Sequence, residues 1–160
     1  MKRLFILLLC CLILTACKHP VPAPDATTQD KIIPTPTLMS ITVYSGNDNA
    51  DGFETHMYEV TYFNSSTLIE KLIEVGVLTS DVTLLSEQYD GTCLHLDFNE
   101  SFRHLINTMG TAGEYIIMGS VVNTFLDNYR DLAASIFITV NNEILESGHV
   151  IYDFELTQYE

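Results

Sequence analysis

The sequence contains no tryptophan, and only one of its four cysteines, Cys93, lies beyond residue 17. With a single cysteine, the globular part of the chain cannot form an intramolecular disulfide, so a hydrophobic core has to hold its fold. No proline follows Pro36, and no apolar run reaches the roughly twenty residues that a membrane-spanning helix needs. These absences indicate one globular domain with a conventional core.

Basic residues are scarce, because only seven lysines and arginines accompany 21 aspartates and glutamates. If Lys2 and Arg3 are removed with a signal peptide, five basic residues remain, and the formal net charge of five minus 21 is −16. A surface this acidic repels nucleic acid and anionic lipid headgroups. The composition therefore argues against nucleic acid binding and favours a basic partner.

The amino terminus has the order of parts that is typical of a bacterial lipoprotein signal. A basic start, Met1-Lys2-Arg3, precedes an apolar run over residues 4–13, and Leu14-Thr15-Ala16-Cys17 matches a lipobox. We expect cleavage after residue 16 and lipidation of Cys17, which would anchor the chain on the extracytoplasmic face of a bacterial cell membrane. The alternative is an ordinary secretory signal with an incidental cysteine.

Residues 17–37 are interpreted as the lipidated cysteine and a proline-rich linker. The linker holds all five prolines of the chain, at positions 20, 22, 24, 34 and 36. Such a segment cannot build a core and favours an extended spacer. Residues 38–160 are then predicted to form a single domain.

Hydrophobic periodicity predicts an α+β domain with the order ββαββαββ, a mostly antiparallel sheet and two helices packed on one face. Asp90-Gly91 and Asn141-Asn142 are interpreted as tight turns between strands. Gly119 lies in the middle of the longest predicted helix, where it indicates close packing. Strands are predicted over residues 40–44, 57–63, 81–88, 92–97, 136–140, 143–145 and 150–156, helices over 65–75 and 112–129, and a short helical turn after Asn99.

Cys93, His95 and Asp97 alternate along one predicted strand, and a cysteine–histidine pair with an orienting aspartate is a known catalytic arrangement. Residues two apart on a strand are separated by about 6.5 Å, too far for a direct hydrogen bond between the cysteine and the histidine. We therefore expect no enzyme here. Leu94 and Leu96 should face the core, and the other three side chains should face outward.

Asn47, Asn49 and Asp51, followed by Gly52, match the first half of a calcium-binding loop. The closing bidentate glutamate is missing, because position twelve of such a loop falls on Tyr58. The alternative is a solvated hairpin loop. Apart from this candidate, the sequence predicts no metal site and no cofactor.

Four segments resemble recurrent blocks of the GerMN domain and occur in the order of that family. A departure is Asn142, where the family usually has glycine, although asparagine accepts the same left-handed turn. The similarity extends over about residues 38–156, with one domain copy where the typical member has two. The segments are residues 94–102 (LHLDFNESF), 110–114 (GTAGE), 121–125 (VVNTF) and 136–142 (IFITVNN).

The resemblance implies a fold similar to the ring-building modules of secretion and sporulation channels. It also implies a membrane-tethered, non-catalytic protein that contacts other envelope proteins during sporulation or germination, and it leaves self-association open. We expect the contacts at sheet edges, at Cys93, His95 and Asp97, and at the loop of residues 47–52. The alternative function is a lipoprotein of a transport or sensing system that binds a small ligand or calcium.

Overall fold

The computed structural model describes residues 37–160, which all belong to one compact unit. The lipobox, Cys17 and almost all of the proline-rich linker lie outside the described residues. None of the helices in this part of the chain has the length and apolar character needed to cross a membrane. The elements are β1 (Met39–Gly46), β2 (Phe53–Val60), α1 (Ser65–Glu74), β3 (Leu84–Tyr89), β4 (Cys93–Phe98), α2 (Glu100–Thr108), α3 (Thr111–Asn128), β5 (Ser135–Val140), β6 (Glu143–Glu146) and β7 (Ile151–Tyr152).

The strands form two sheets, whereas one was expected. β1 and β2 make an antiparallel two-stranded ribbon, and the other strands form a sheet in the order β3-β4-β5-β6-β7. Every pairing is antiparallel except that of β4 with β5, which is parallel. The α+β class and the mostly antiparallel pairing are therefore confirmed, and the single sheet was wrong.

Side chains of α3 explain why the ribbon stays separate from the larger sheet. The backbone N–H of Thr42 donates to Asn128 Oδ1 over 3.1 Å, and Asn128 Nδ2 returns a hydrogen bond to the Thr42 carbonyl over 2.6 Å. The N–H of Tyr44 donates to Thr124 Oγ1 over 2.9 Å. These contacts occupy the edge of β1 that β2 leaves free, so backbone groups that could pair with a strand are already satisfied.

The helix count also differs from the expectation of two. The turn predicted after Asn99 is a nine-residue helix, α2, which buries Phe102, Leu105 and Ile106. It leads almost directly into α3, and together the two helices connect β4 to β5. A connection of this length is what a parallel strand pair requires.

The helix α3 forms the centre of the core. Every residue from 117 to 126 is buried, because α3 contacts β1, β5, α1 and α2. Gly119 permits this closeness, since a Cβ built there would lie only 2.2 Å from Cζ of Phe53 on β2. The close packing that Gly119 indicated in the sequence is thus present between α3 and the ribbon.

Candidate functional site

The strand β4 places Cys93, His95 and Asp97 on the face opposite Leu94 and Leu96, as expected. However, Cys93 and Asp97 are buried rather than exposed, so only His95 reaches solvent to any extent. Burial raises the pKa of the Cys93 thiol. His95 Nε2 lies 3.0 Å from Asp90 Oδ2 in the hairpin turn and forms no hydrogen bond with Cys93. The expectation that all three side chains offer an outward contact surface was therefore wrong.

Asp97 has a structural partner that accounts for its burial. Its Oδ1 accepts hydrogen bonds from Thr139 Oγ1 and from the backbone N–H of Asn142, each over 2.7 Å. Asn141 and Asn142 both have positive φ, which forms the tight turn between β5 and β6. Asp97 thus fixes that turn against β4.

The loop that resembles a calcium site is the connection between β1 and β2. Asn47 Nδ2 donates to Asp51 Oδ1 over 2.9 Å, and Asn47 Oδ1 accepts from the backbone N–H of Asp51. Two of the three candidate ligands therefore bond to each other, while Asn49 is exposed. Within residues 37–160, no group of three or more histidine, cysteine, aspartate or glutamate side chains is placed to hold a metal ion.

The most unusual polar group in the described structure is the Glu114 carboxylate, which lies in the first turn of α3 and is only 2% exposed. Its Oε1 accepts hydrogen bonds from Ser147 Oγ and from the Tyr152 hydroxyl, each over 2.6 Å. Its Oε2 is buried and has no hydrogen-bond partner among the described residues. A buried carboxylate oxygen without a donor is costly, so this atom requires an explanation.

Aromatic rings surround this carboxylate and form what we call the Glu114 pocket. Its cavity of about 210 Å³ is lined by Glu114 with Tyr115, Tyr152, Phe154 and Tyr159, and Thr111 and Val150 complete the wall. The Tyr115 and Tyr159 ring centroids are 5.2 Å apart, and those of Tyr152 and Phe154 are 6.1 Å apart. The pocket therefore combines four aromatic rings with one acid.

The residues 153–160 complete the pocket because polar contacts hold them against α3. Asn123, itself buried, accepts from the Tyr159 N–H over 2.8 Å and donates to the Tyr159 carbonyl over 3.1 Å. The Tyr115 hydroxyl donates to the Glu160 carbonyl over 2.7 Å. The Tyr159 ring is thus fixed beside the acid by its own backbone.

Two tyrosines of the pocket, Tyr152 and Tyr159, have raised pKa values. Burial, the hydrogen bond to Glu114 and the charge of that carboxylate all raise the pKa of Tyr152 well above its usual range. Burial, followed by the nearby Tyr115 and Glu114, raises the pKa of Tyr159 to about 12.

The described part of the chain has few basic side chains. Residues 37–160 contain three lysines and arginines, and each lies within a salt-bridge distance of an acidic residue three positions away: Lys71 with Glu74, Arg103 with Glu100, and Arg130 with Asp127. The excess of acidic residues therefore has little local compensation, which favours the approach of cations.

Another cavity of the described structure, about 440 Å³ in volume, has weaker chemistry. It lies between the β1–β2 loop, the ends of α1 and α2 and the start of α3, and its walls are largely apolar. Its buried polar residue, Ser45, is already within hydrogen-bond distance of Glu54 and His56. The Glu114 pocket is therefore the better candidate site.

No protein-family model matches the sequence, and no curated protein matches it. Among solved structures, the chain is similar to the tandem GerMN domains of the sporulation protein GerM from Bacillus subtilis, at 18% identity and a TM-score of 0.55, covering 76% of this chain and 45% of that one. A candidate lipoprotein from Clostridium perfringens is a weaker match, at 16% identity and a TM-score of 0.45, covering 75% and 87% of the two chains.

The comparison with GerM shows the fold of the domain. The described residues have the α+β fold of a GerMN domain, which confirms the resemblance found in the sequence blocks. This chain spans less than half of the length of the GerM tandem structure. At 18% identity the likeness is one of fold, and function has to be argued from the residues of this chain.

Proposed function

We propose that this protein is a membrane-anchored lipoprotein whose GerMN-like domain acts as a non-catalytic interaction module in the assembly of a bacterial envelope complex. The observation that carries the proposal is the combination of a lipobox ending at Cys17, a proline-rich spacer and a domain with the GerMN fold. The solved relative, GerM, is a sporulation protein, so a complex of sporulation or germination is the first to test.

The ribbon offers a surface that suits such a role. β2 pairs with β1 alone, so the second edge of β2 faces no strand within residues 37–160. An open strand edge can accept a strand from another protein through backbone hydrogen bonds. Met57 on this strand is 74% exposed, which provides an apolar contact beside the open edge.

The membrane anchor is tested by replacing the cysteine that would carry the lipid. Cys17→Ala should leave the protein uncleaved or release it from the membrane fraction, whereas the unmodified chain should sediment with membranes and gain the mass of its acyl chains. Cys93→Ala is the matched control, because that thiol is buried in the domain and should not affect anchoring. The anchor would be refuted if the Cys17→Ala protein stayed with the membranes and the unsubstituted chain carried no acyl mass.

The interaction module is tested by a photocrosslinking amino acid at Met57, in growing and in sporulating cells. We expect adducts with envelope proteins that weaken as ionic strength rises, because an acidic domain attracts a basic partner through screened charges. Leu132, 56% exposed in the turn after α3, is the control position. The same adducts at both positions, or none at Met57, would contradict the proposal.

A further inference from the structure

The Glu114 pocket combines two features that recognise an organic cation. Aromatic faces attract ammonium groups through the ring quadrupole, and such contacts operate within about 6 Å of a ring centroid. A carboxylate supplies a full negative charge and accepts charge-assisted hydrogen bonds. Here four aromatic rings and one acid line the same cavity of about 210 Å³.

The unsatisfied oxygen indicates what is missing from the pocket. Ser147 and Tyr152 both donate to Oε1, while Oε2 is enclosed with no donor. If Glu114 served only to fix the turn before β7 to α3, Oε1 would be sufficient. A buried Oε2 gains most from a ligand that carries N–H donors and positive charge.

The mouth of the pocket permits such a ligand to enter. Tyr115 is 41% and Phe154 is 49% exposed, so both rings lie at the surface end of the cavity. Exposed side chains change rotamer within nanoseconds, so a partly exposed ring such as Phe154 does not close the cavity permanently. Because acidic residues outnumber basic ones, cations accumulate around the protein.

We propose that the Glu114 pocket binds an organic ammonium ion, of the kind carried by a lysine side chain or by a free amine. The aromatic rings hold the alkyl part and the cationic head, and Oε2 accepts a hydrogen bond from the ammonium group. The inference rests on the proposed function only for the source of that ion, which in an assembly module is a lysine of the partner protein.

The binding test uses n-butylammonium as the probe and the full chain in detergent micelles, followed by nitrogen-15 NMR. We expect saturable shifts of the backbone amides around Glu114, Val150 and Tyr159. The neutral isostere n-butanol should bind about tenfold more weakly, because it lacks the charge that the rings and the carboxylate recognise. Equal affinity for butanol, or no saturable shift with either probe, would overturn the proposal.

Matched variants separate charge recognition from a structural role of Glu114. Glu114→Gln keeps an acceptor for Ser147 and Tyr152 but removes the charge, so affinity for n-butylammonium should fall about tenfold. Asp97→Asn is the control, because it neutralises another buried carboxylate outside the pocket and should leave affinity unchanged. Equal losses in both variants would show a general effect of folding and refute a specific site.

A second pair of variants tests the aromatic wall without removing a buried core side chain. Phe154→Ala removes a ring that is 49% exposed and should weaken binding several-fold, whereas Tyr89→Ala removes an equally exposed ring on β3 and should not change it. Unchanged binding in Phe154→Ala would refute the role of the aromatic wall.

The source of the ammonium group is distinguished by a separate comparison. A lysine-containing peptide that competes with n-butylammonium, while its acetyl-lysine form does not, would assign the pocket to a partner protein. Stronger binding of n-butylammonium than of the peptide would assign it to a free amine and argue against its use in assembly. Either result supports the site, and loss of the Met57 crosslinks would bear on the assembly proposal alone.

Discussion

The packing of Gly119 against Phe53 gives the sharpest prediction for the stability of the fold. A Cβ added at position 119 would lie 2.2 Å from Phe53 Cζ, 2.7 Å from Phe53 Cε1 and 3.1 Å from Tyr159 Cβ. Carbon atoms in contact prefer separations of about 3.5 to 4.0 Å, so the Phe53 ring has to move by more than an ångström. Gly119→Ala therefore has two opposite effects on the free energy of unfolding.

Alanine raises helix propensity by about 1 kcal/mol over glycine, while overpacking a filled site costs about 1–3 kcal/mol. We expect a net loss of about 1 kcal/mol in the unfolding free energy of Gly119→Ala. In a Phe53→Ala background the ring is absent, so the same substitution should stabilise by about 1 kcal/mol. The two substitutions should thus be coupled by about 2 kcal/mol.

The assay is urea unfolding followed by far-ultraviolet circular dichroism on the four proteins of the cycle, since the chain has no tryptophan to report. Gly148→Ala is the control, because no atom lies within 4 Å of a Cβ built there. A loss of the same size in both backgrounds would show that Phe53 is not the obstacle. A gain in the unmodified background would show that the ring yields at negligible cost.

Further predictions concern polar contacts that position the backbone. Asp97→Ala should lower the unfolding free energy by about 2–3 kcal/mol, because its two donors lose their acceptor, and a change below about 0.5 kcal/mol in urea unfolding would contradict this. Asn128→Asp should accelerate hydrogen exchange at the β1 edge by roughly tenfold, since aspartate cannot donate to the β1 carbonyl. Burial and a carboxylate partner raise the pKa of Tyr152, so the folded chain keeps a proton that the unfolded chain releases near pH 10. Stability should be full below that pH and fall above it, and Tyr152→Phe should flatten this decline in pH-dependent melting. Millimolar calcium should leave the melting temperature unchanged, because side chains of the 47–52 loop already bond to each other, whereas a rise of several degrees would support a calcium site.

The parts of the fold that could be predicted from sequence are those specified by local chemistry. The hairpin at Asp90-Gly91 forms as expected, with φ of +112° at Gly91. The turn at Asn141 and Asn142 forms with positive φ at both residues. Helix α3, predicted over residues 112–129, occupies Thr111–Asn128. In each case neighbouring residues determine the conformation, so no knowledge of distant contacts is needed.

The sheet arrangement could not be predicted because it depends on groups far apart in sequence. Thr42 has a strand-forming pattern, but its free backbone groups are taken by Asn128, which lies 86 residues away. Alternation along β4 likewise placed Cys93 on the correct face but could not show that it is buried, since the neighbouring strand that brings Ser135 beside it begins about forty residues later. Periodicity assigns a face to a side chain, and only tertiary contacts decide whether that face is covered.

No spacing pattern in the sequence indicates the Glu114 pocket, because its residues come from the start of α3 and from residues 150–159, about forty positions later. Tyr152 and Phe154 alternate in a predicted strand, which reads as ordinary β patterning. The sequence does contain one indication of the site, Glu114 itself, which lies in the 110–114 segment that resembles a GerMN helix entry. An acid near a helix start is usually explained by the helix dipole, so burial was needed to set this one apart.

The segments that carry the resemblance contain polar residues that can be sorted by what they bind. Asp97, Asn123 and Thr124 each bond a backbone group more than thirty residues away, so all three act by fixing the path of the chain. Their partners satisfy them, and a shared fold is enough to explain their presence. Glu114 differs, because one of its oxygens remains unpaired after its structural hydrogen bonds are made. Within these segments, that oxygen is the polar atom that the fold leaves without a partner, so it is the atom that a ligand can contact.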